Sequence, residues 1–280
     1  MRWISFRQEG VETFGYLNAD DQIVCVGADS PYSTLKEALT AGALKELALQ
    51  TAEKENVTLD DIEYLPTITN PDKILCVGLN YRDHQAETGR GGEDNPTIFV
   101  RFAAAQVGHL ENMVRPFESR ALDYEGEIAM IIGRHARRVA AEDWLDYVAG
   151  FSCYNDGSVR DYQRHTSQFT PGKNFTGTGG FGPWMMTPDE VGDLDEMEIT
   201  TRLNGNVMQN AKSKQLVFGF ADLLAYCSTF TDLMPGDVIV TGTPGGVGAA
   251  RNPPIFMDEG DVIEITVEPI GKLRNNVIVG

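Results

Sequence analysis

One stretch of the chain crowds carboxylates at a spacing that suits metal chemistry. Asp123-Tyr124-Glu125-Gly126-Glu127 runs straight into Ile128-Ala129-Met130-Ile131-Ile132, an apolar tail with β-branched residues that reads as a strand. Side chains alternate faces along a strand, so Asp123, Glu125 and Glu127 are expected on one side. Three neighbouring carboxylates repel one another, and they ionise together at neutral pH only against water or a cation. A solvated acidic face at a sheet edge would meet that condition. A second acidic centre favours the cation. Asn155-Asp156 follows the apolar run Val148-Ala149-Gly150-Phe151 and precedes Ser158, Arg160, Asp161 and Gln163. Carboxylate oxygens without Cys or His partners suit a hard divalent ion such as Mg²⁺ or Mn²⁺.

A base could stand beside such an ion. In Asn80-Tyr81-Arg82-Asp83-His84-Gln85-Ala86-Glu87, a helical turn would set His84 and Glu87 three apart on one face, close enough to pair. A carboxylate that holds an imidazole fixes its tautomer and raises its basicity. An ordinary surface pair is the competing reading. His109, His135 and His165 lack an equally placed partner and read as structural or exposed. Pro171-Gly172-Lys173-Asn174-Phe175 offers one lysine that could balance an acidic pocket and hold an anion. The loop Thr241-Gly242-Thr243-Pro244-Gly245-Gly246-Val247-Gly248 is not a phosphate loop, because no Lys-Ser/Thr follows its glycines. Its backbone N–H groups could instead approach a carboxylate. The glycine-rich segment from Thr88 to Pro96 reads as a lid beside the base.

The elements that must position these groups are mostly strands. Val11 to Tyr16 and Gln22 to Val26 form a meander around Asn18-Ala19-Asp20-Asp21. Ser33 to about Glu55 has helical spacing, broken near Ala41-Gly42. Pro66 and Pro71 then punctuate a boundary, which divides the chain into a small accessory domain over 1–70 and a catalytic domain over 71–280. Lys73 to Gly78 reads as a buried strand. Pro235-Gly236-Asp237-Val238 and Glu259-Gly260-Asp261-Val262 repeat a turn–strand unit suited to a rolled or barrel-like sheet. Helices are expected around Ala140 to Ala149 and from Gly219 to Thr229. The fold class is therefore α+β with a β-rich core.

Composition narrows the partners. At 280 residues and 42% hydrophobic, the chain can bury a large core. A formal net charge of −18 argues against nucleic acid or an anionic membrane. Met1 to Arg7 has no signal-peptide character, and no apolar run is long enough for a membrane span. The four cysteines are widely spaced, as free thiols in a reducing cytoplasm would be.

The motifs together resemble the fumarylacetoacetate hydrolase family from roughly Pro71 to the C-terminus. The matching pieces occur in order: Lys73 to Tyr81, His84 with Glu87, Asp123 to Glu127, Asn155-Asp156 with Arg160 to Gln163, Gly172-Lys173, Gly182-Pro183-Trp184, Asn204-Gly205 with Gln209, and Pro235 to Asp237 with Thr241 to Pro244. The resemblance implies a mixed β-roll, usually homodimeric, in which Glu125, Glu127 and Asp156 hold the metal. It makes His84 and Glu87 the catalytic dyad, assisted by Lys173. Arg160, Gln163 and Thr243 would bind substrate, and Tyr81 and Arg101 are counted with them. Two departures stand out: Arg101 replaces a frequent lysine, and Asn174-Phe175-Thr176 replaces a Ser-Phe-Asp run. The implied function is cleavage of a C–C bond in small 2,4-dioxo (acylpyruvate-type) acids by a cytoplasmic Mg²⁺- or Mn²⁺-dependent hydrolase. The same metal–enolate chemistry would serve an oxaloacetate decarboxylase or an enol–keto isomerase. A pure binding protein is disfavoured, since ligand capture has no use for a base beside the metal.

Overall fold

The apolar run after the acidic motif is a strand, Gly126–Ile132, buried along its whole length. Its two faces supply different cores: Ile128, Met130 and Ile132 join one, Ala129 and Ile131 the other. This period-two division is why the segment has no polar residue beyond Glu127. The computed structural model describes residues 1–51 and 56–280. Within them the fold is α+β and sheet-dominated, with no closed barrel. Gly126–Ile132 lies inside a 12-stranded sheet, antiparallel to Val148–Asp156 on one side and to Val238–Val240 on the other. Val238–Val240 runs parallel to Ile74–Gly78, so both strands send their following loops to the same end. A five-stranded sheet built on Glu198–Leu203, Val262–Glu268 and Gly271–Val279 covers one face, meeting Ile128, Met130 and Phe151 through Ile199, Ile265 and Leu273.

The N-terminal meander is Arg2–Gln8, Val11–Leu17 and Ile23–Cys25, and it extends the large sheet. Arg2 pairs with Met186 and Trp3 with Met185. The helices Leu35–Thr40 and Leu44–Thr51 are separated at Ala41-Gly42 as expected, and the Thr34 side chain caps the first by accepting the Glu37 N–H. The end of that expected helical stretch, 52–55, lies outside the described residues. The helix Phe220–Phe230 begins where the sequence places it. The other expected helix, Ala140 to Ala149, does not form. Ala141–Tyr147 is a 3₁₀ segment and Val148 already starts the strand that pairs with Gly126–Ile132. Long-range pairing of the β-branched and aromatic run outweighs the local helical signal, and Trp144 is held by stacking on Phe220 at 5.9 Å. Among the described residues, no helix is long and apolar enough to cross a membrane. All four cysteines are free thiols.

Two of the unassigned histidines have structural partners. His135, read from sequence as structural or exposed, is exposed and pairs with Asp232 at 2.9 Å. His109 accepts the Arg274 N–H through Nδ1 at 3.0 Å and stands edge-on to Tyr64 at 4.6 Å, joining the N-terminal region to the C-terminal hairpin. Burial, then Arg274 and Lys272, lower its pKa from 6.5 to about 4. The unfolded chain therefore takes up the proton first, and stability falls as pH drops from about 6.5 to about 4, by at most about 3 kcal/mol. His109→Gln keeps an acceptor but does not titrate. Urea denaturation across this range should show a shallower loss of stability in that variant than in the wild type.

Candidate active site

Glu125, Glu127 and Asp156 converge at the end of the central strand pair. They offer ligand oxygens that all lie within 4.8 Å of one another, and all three are buried. Register brings them together, since the Asp156 N–H donates to the Glu125 carbonyl at 2.8 Å, one step beyond the Gly126–Asn155 pair. Asp123 does not share this cluster. It belongs to a separate short strand, Leu122–Asp123, and the break at Tyr124-Glu125 undoes the simple alternation expected from sequence. Its oxygens accept the N–H groups of Gly248 and Ala249 and the Arg160 Nε–H.

Three cations face these four carboxylates. Lys173 Nζ lies 2.7 Å from Glu125 and 2.6 Å from Asp156. Arg160 bridges Asp123 and Glu125 at 2.8 and 2.7 Å. Arg101 holds Asp156 at 2.6 Å and spends further donors on the Gly157 carbonyl and the Thr178 hydroxyl. Burial pushes the Glu125 carboxyl up, but Lys173 and then Arg160 overcome it and hold it far below its usual range. Among the described residues, Glu127 makes no ion pair; its donor is the Gly242 N–H. Burial, then Asp156 and Glu125, push its carboxyl well above the ordinary value. Burial lowers the Lys173 ammonium, yet Asp156 and Glu125 raise it further, so it stays charged.

The His84–Glu87 pair forms as the spacing predicts. Helix Arg82–Thr88 sets His84 Nδ1 3.4 Å from Glu87 Oε1, near enough for charge coupling but without hydrogen-bond geometry. Glu87 is anchored from the other side by the Gly246 N–H. Burial pushes its carboxyl up, but His84 and the Gly246 N–H outweigh this and leave it below the usual range. The glycine loop thus does approach carboxylates, and they are the protein's own: Gly242 serves Glu127, Gly246 serves Glu87, and Gly248 serves Asp123. Gly242 and Gly246 have φ of +107° and +101°. A Cβ there would stand 2.6 Å from Asn80 Cβ and 2.2 Å from the Met208 carbonyl oxygen.

A cavity of about 630 Å³ opens over these groups, lined by His84, Glu87, Glu125, Glu127, Arg160, Gln163, Lys173 and Thr243. Thr88 and Arg90 of the glycine-rich segment also line it. Three expected site residues do not reach it. Asp156 is fully buried behind Lys173. Arg101 stands behind Asp156, its side chain fully enclosed. Tyr81 packs in the main apolar core, and its hydroxyl has no hydrogen-bond partner among the described residues. Thr176 is exposed and away from the cavity, so neither departure from the family pattern touches this space. Two supporting residues had no assigned role from sequence. Gln209 takes the Gly126 N–H and donates to Thr243 and to the Pro244 carbonyl. Asn80 clasps Phe218 and the Thr241 carbonyl, bracing both site loops. Their only sequence signal was membership of the ordered motif set.

The profile described as fumarylacetoacetate (FAA) hydrolase, C-terminal, matches residues 73–278. The chain belongs to the fumarylacetoacetate hydrolase family. Within it, the chain is 38% identical over 245 residues to an oxaloacetate tautomerase of Rattus norvegicus, covering 87% of this chain and 78% of that protein. It superposes on a fumarylacetoacetate hydrolase from Exiguobacterium antarcticum with a TM-score of 0.89 at 32% identity, covering 100% of both chains. A maleylpyruvate hydrolase from Sphingobium sp. SYK-6, in complex with manganese(II) and pyruvate, aligns at a TM-score of 0.83 and 26% identity over 100% of both chains. The family membership marks the chain as an enzyme. The rat relative is labelled mitochondrial, which corrects the expected location: the comparison points away from the cytoplasm.

The donor set fits a hard divalent ion. It is all oxygen, and each carboxylate keeps lone pairs beyond those its recorded donors occupy. Glu127→Gln removes one of four crowded carboxylates and keeps an acceptor for the Gly242 N–H, so the fold should keep its melting temperature. Mn²⁺ affinity measured by calorimetry should fall at least tenfold. Undiminished Mn²⁺ binding would remove Glu127 from the ligand set.

Proposed function

We propose that this chain interconverts the enol and keto forms of a small 2-oxo acid of the oxaloacetate type. Glu125, Glu127 and Asp156 would hold Mg²⁺ or Mn²⁺. The observation that carries the reading is the His84–Glu87 pair, which opens on the same cavity as Glu125, Glu127 and Lys173. When bound, the metal supplies Lewis-acid polarisation of the 2-oxo group. The remaining work belongs to side chains. An Nδ1–H turned toward Glu87 leaves His84 Nε2 free to take the proton from the carbon beside the keto group and to deliver it to the enolate oxygen, giving the enol, or to run the same transfer in reverse. Among the described residues Arg160 Nη2 is buried without a partner, and one Lys173 N–H remains after its two ion pairs. Both donors are available to a carboxylate and to the negative oxygen of the enolate. Gln163, held by Arg160 at 3.0 Å, and Thr243 complete the polar wall.

The identity to a tautomerase favours isomerisation over the hydrolysis implied by the sequence motifs. Hydrolysis of an acylpyruvate remains the second reading, favoured by the maleylpyruvate hydrolase neighbour. In that case His84 would activate water.

The two readings separate in one assay with Mg²⁺ or Mn²⁺ present. Oxaloacetate should relax between enol and keto forms faster, seen as enol absorbance, without matching release of pyruvate. Acylpyruvates should survive. His84→Ala should lower the catalysed interconversion by roughly 10²–10⁴-fold. Rapid acylpyruvate cleavage with no effect on oxaloacetate would reverse the assignment.

A further inference from the structure

Among the described residues, two cationic side chains that line the cavity make no recorded ion pair or side-chain hydrogen bond: Arg90 and Arg164. Every other arginine or lysine on the cavity wall, Arg160 and Lys173, is committed to a buried carboxylate. The acidic neighbours of Arg90, Glu93 and Asp94, are exposed and do not take it. Each free guanidinium is attached just past a short helix that carries site residues. Arg90 follows the left-handed cap Gly89 of the helix bearing His84 and Glu87, and its N–H returns to the Gln85 carbonyl. Arg164 caps the helix bearing Arg160 and Gln163, and its N–H returns to the Asp161 carbonyl. These backbone bonds fix where each side chain is attached beside the cavity, and both residues are exposed.

Charge balance indicates what they face. The four buried carboxylates and Glu87 on the cavity wall meet three cations, and a divalent ion brings this set to neutrality. The 2-oxo-carboxylate end of a substrate already adds negative charge there. A second carboxylate on the same substrate then has no partner in the inner site, and leaving it unpaired in a cavity is costly. A planar guanidinium suits a carboxylate better than any other side chain does. We infer that Arg90 and Arg164 form the subsite for the distal carboxylate and make the enzyme selective for 2-oxo diacids over 2-oxo monoacids. This inference rests on the 2-oxo acid reading above.

The test measures binding to the Mn²⁺-loaded protein by calorimetry, so it needs no turnover. 2-Oxoglutarate is compared with 2-oxopentanoate, and oxaloacetate with 2-oxobutanoate; each pair differs only at the distal end. The wild type should prefer at least one diacid over its matched monoacid by on the order of tenfold. Arg90→Gln and Arg164→Gln should each reduce that preference several-fold, and the double variant should abolish it. Monoacid affinity and melting temperature should not change, because neither side chain supports the fold. Added salt should weaken diacid binding more than monoacid binding. The subsite is overturned if the wild type shows no preference, if the preference survives in the double variant, or if both ligand types weaken equally. Monoacid binding without a diacid preference sinks only this subsite. No metal-dependent binding of any 2-oxo acid sinks the parent reading with it.

Discussion

Asp123, Glu125, Glu127 and Asp156 are almost wholly out of water, and four carboxylates so placed cannot all stay charged without compensation. Much of the site's architecture follows from supplying it. Arg101 comes from the end of strand Thr97–Arg101, while Arg160 and Lys173 come from two short helices. Each meets its carboxylate from a different part of the chain, so the ion pairs fasten these segments to the central strands. Removing one partner of such a buried pair costs about 3–5 kcal/mol, because the other charge is stranded. The same interactions therefore shape the site and hold down the elements around it. Glu127, which makes no ion pair among the described residues, is where additional positive charge is most needed.

The loop from Thr241 to Gly248 is a second organising device. Its N–H groups bind three acids at once: Glu127 of the carboxylate cluster, Glu87 beside His84, and Asp123 beside Arg160. Backbone donors suit this task because their positions are set by φ and ψ rather than by mobile side chains. Glycine is required where φ is positive and where the chain passes within contact distance of Asn80 and Met208.

Much of this was legible in the sequence, for reasons that differ between residues. The His84–Glu87 pair is a local spacing on one helix, and local spacing survives folding. The strand Gly126–Ile132 was readable because its composition satisfies two apolar faces at once. The end of strand Val148–Asp156 was readable through its polar cluster, though its start was mistaken for helix because pairing partners far along the chain decide it. What escaped was depth. Arg101 and Tyr81 were counted with the substrate-binding residues, yet one stands behind Asp156 and the other packs in the core; spacing along a chain carries no information about which layer a side chain occupies. Gln209 and Asn80 escaped for a related reason, since their partners lie 34 or more residues away.

The hydrogen bonding of Arg2–Gln8 has a consequence for how the protein is made. Its early partners, Val11–Leu17 and Glu63–Tyr64, lie nearby in sequence, but beyond Trp3 the sheet continues only through Gly179–Met186. During vectorial synthesis the start of that strand emerges long before the segment that covers it. The parallel neighbours Ile74–Gly78 and Val238–Val240 impose a similar wait. Contacts of such long sequence separation form late, and strand edges exposed meanwhile invite pairing with other chains. A nascent chain of this topology has good reason to be shielded by a chaperone until its last third has been translated.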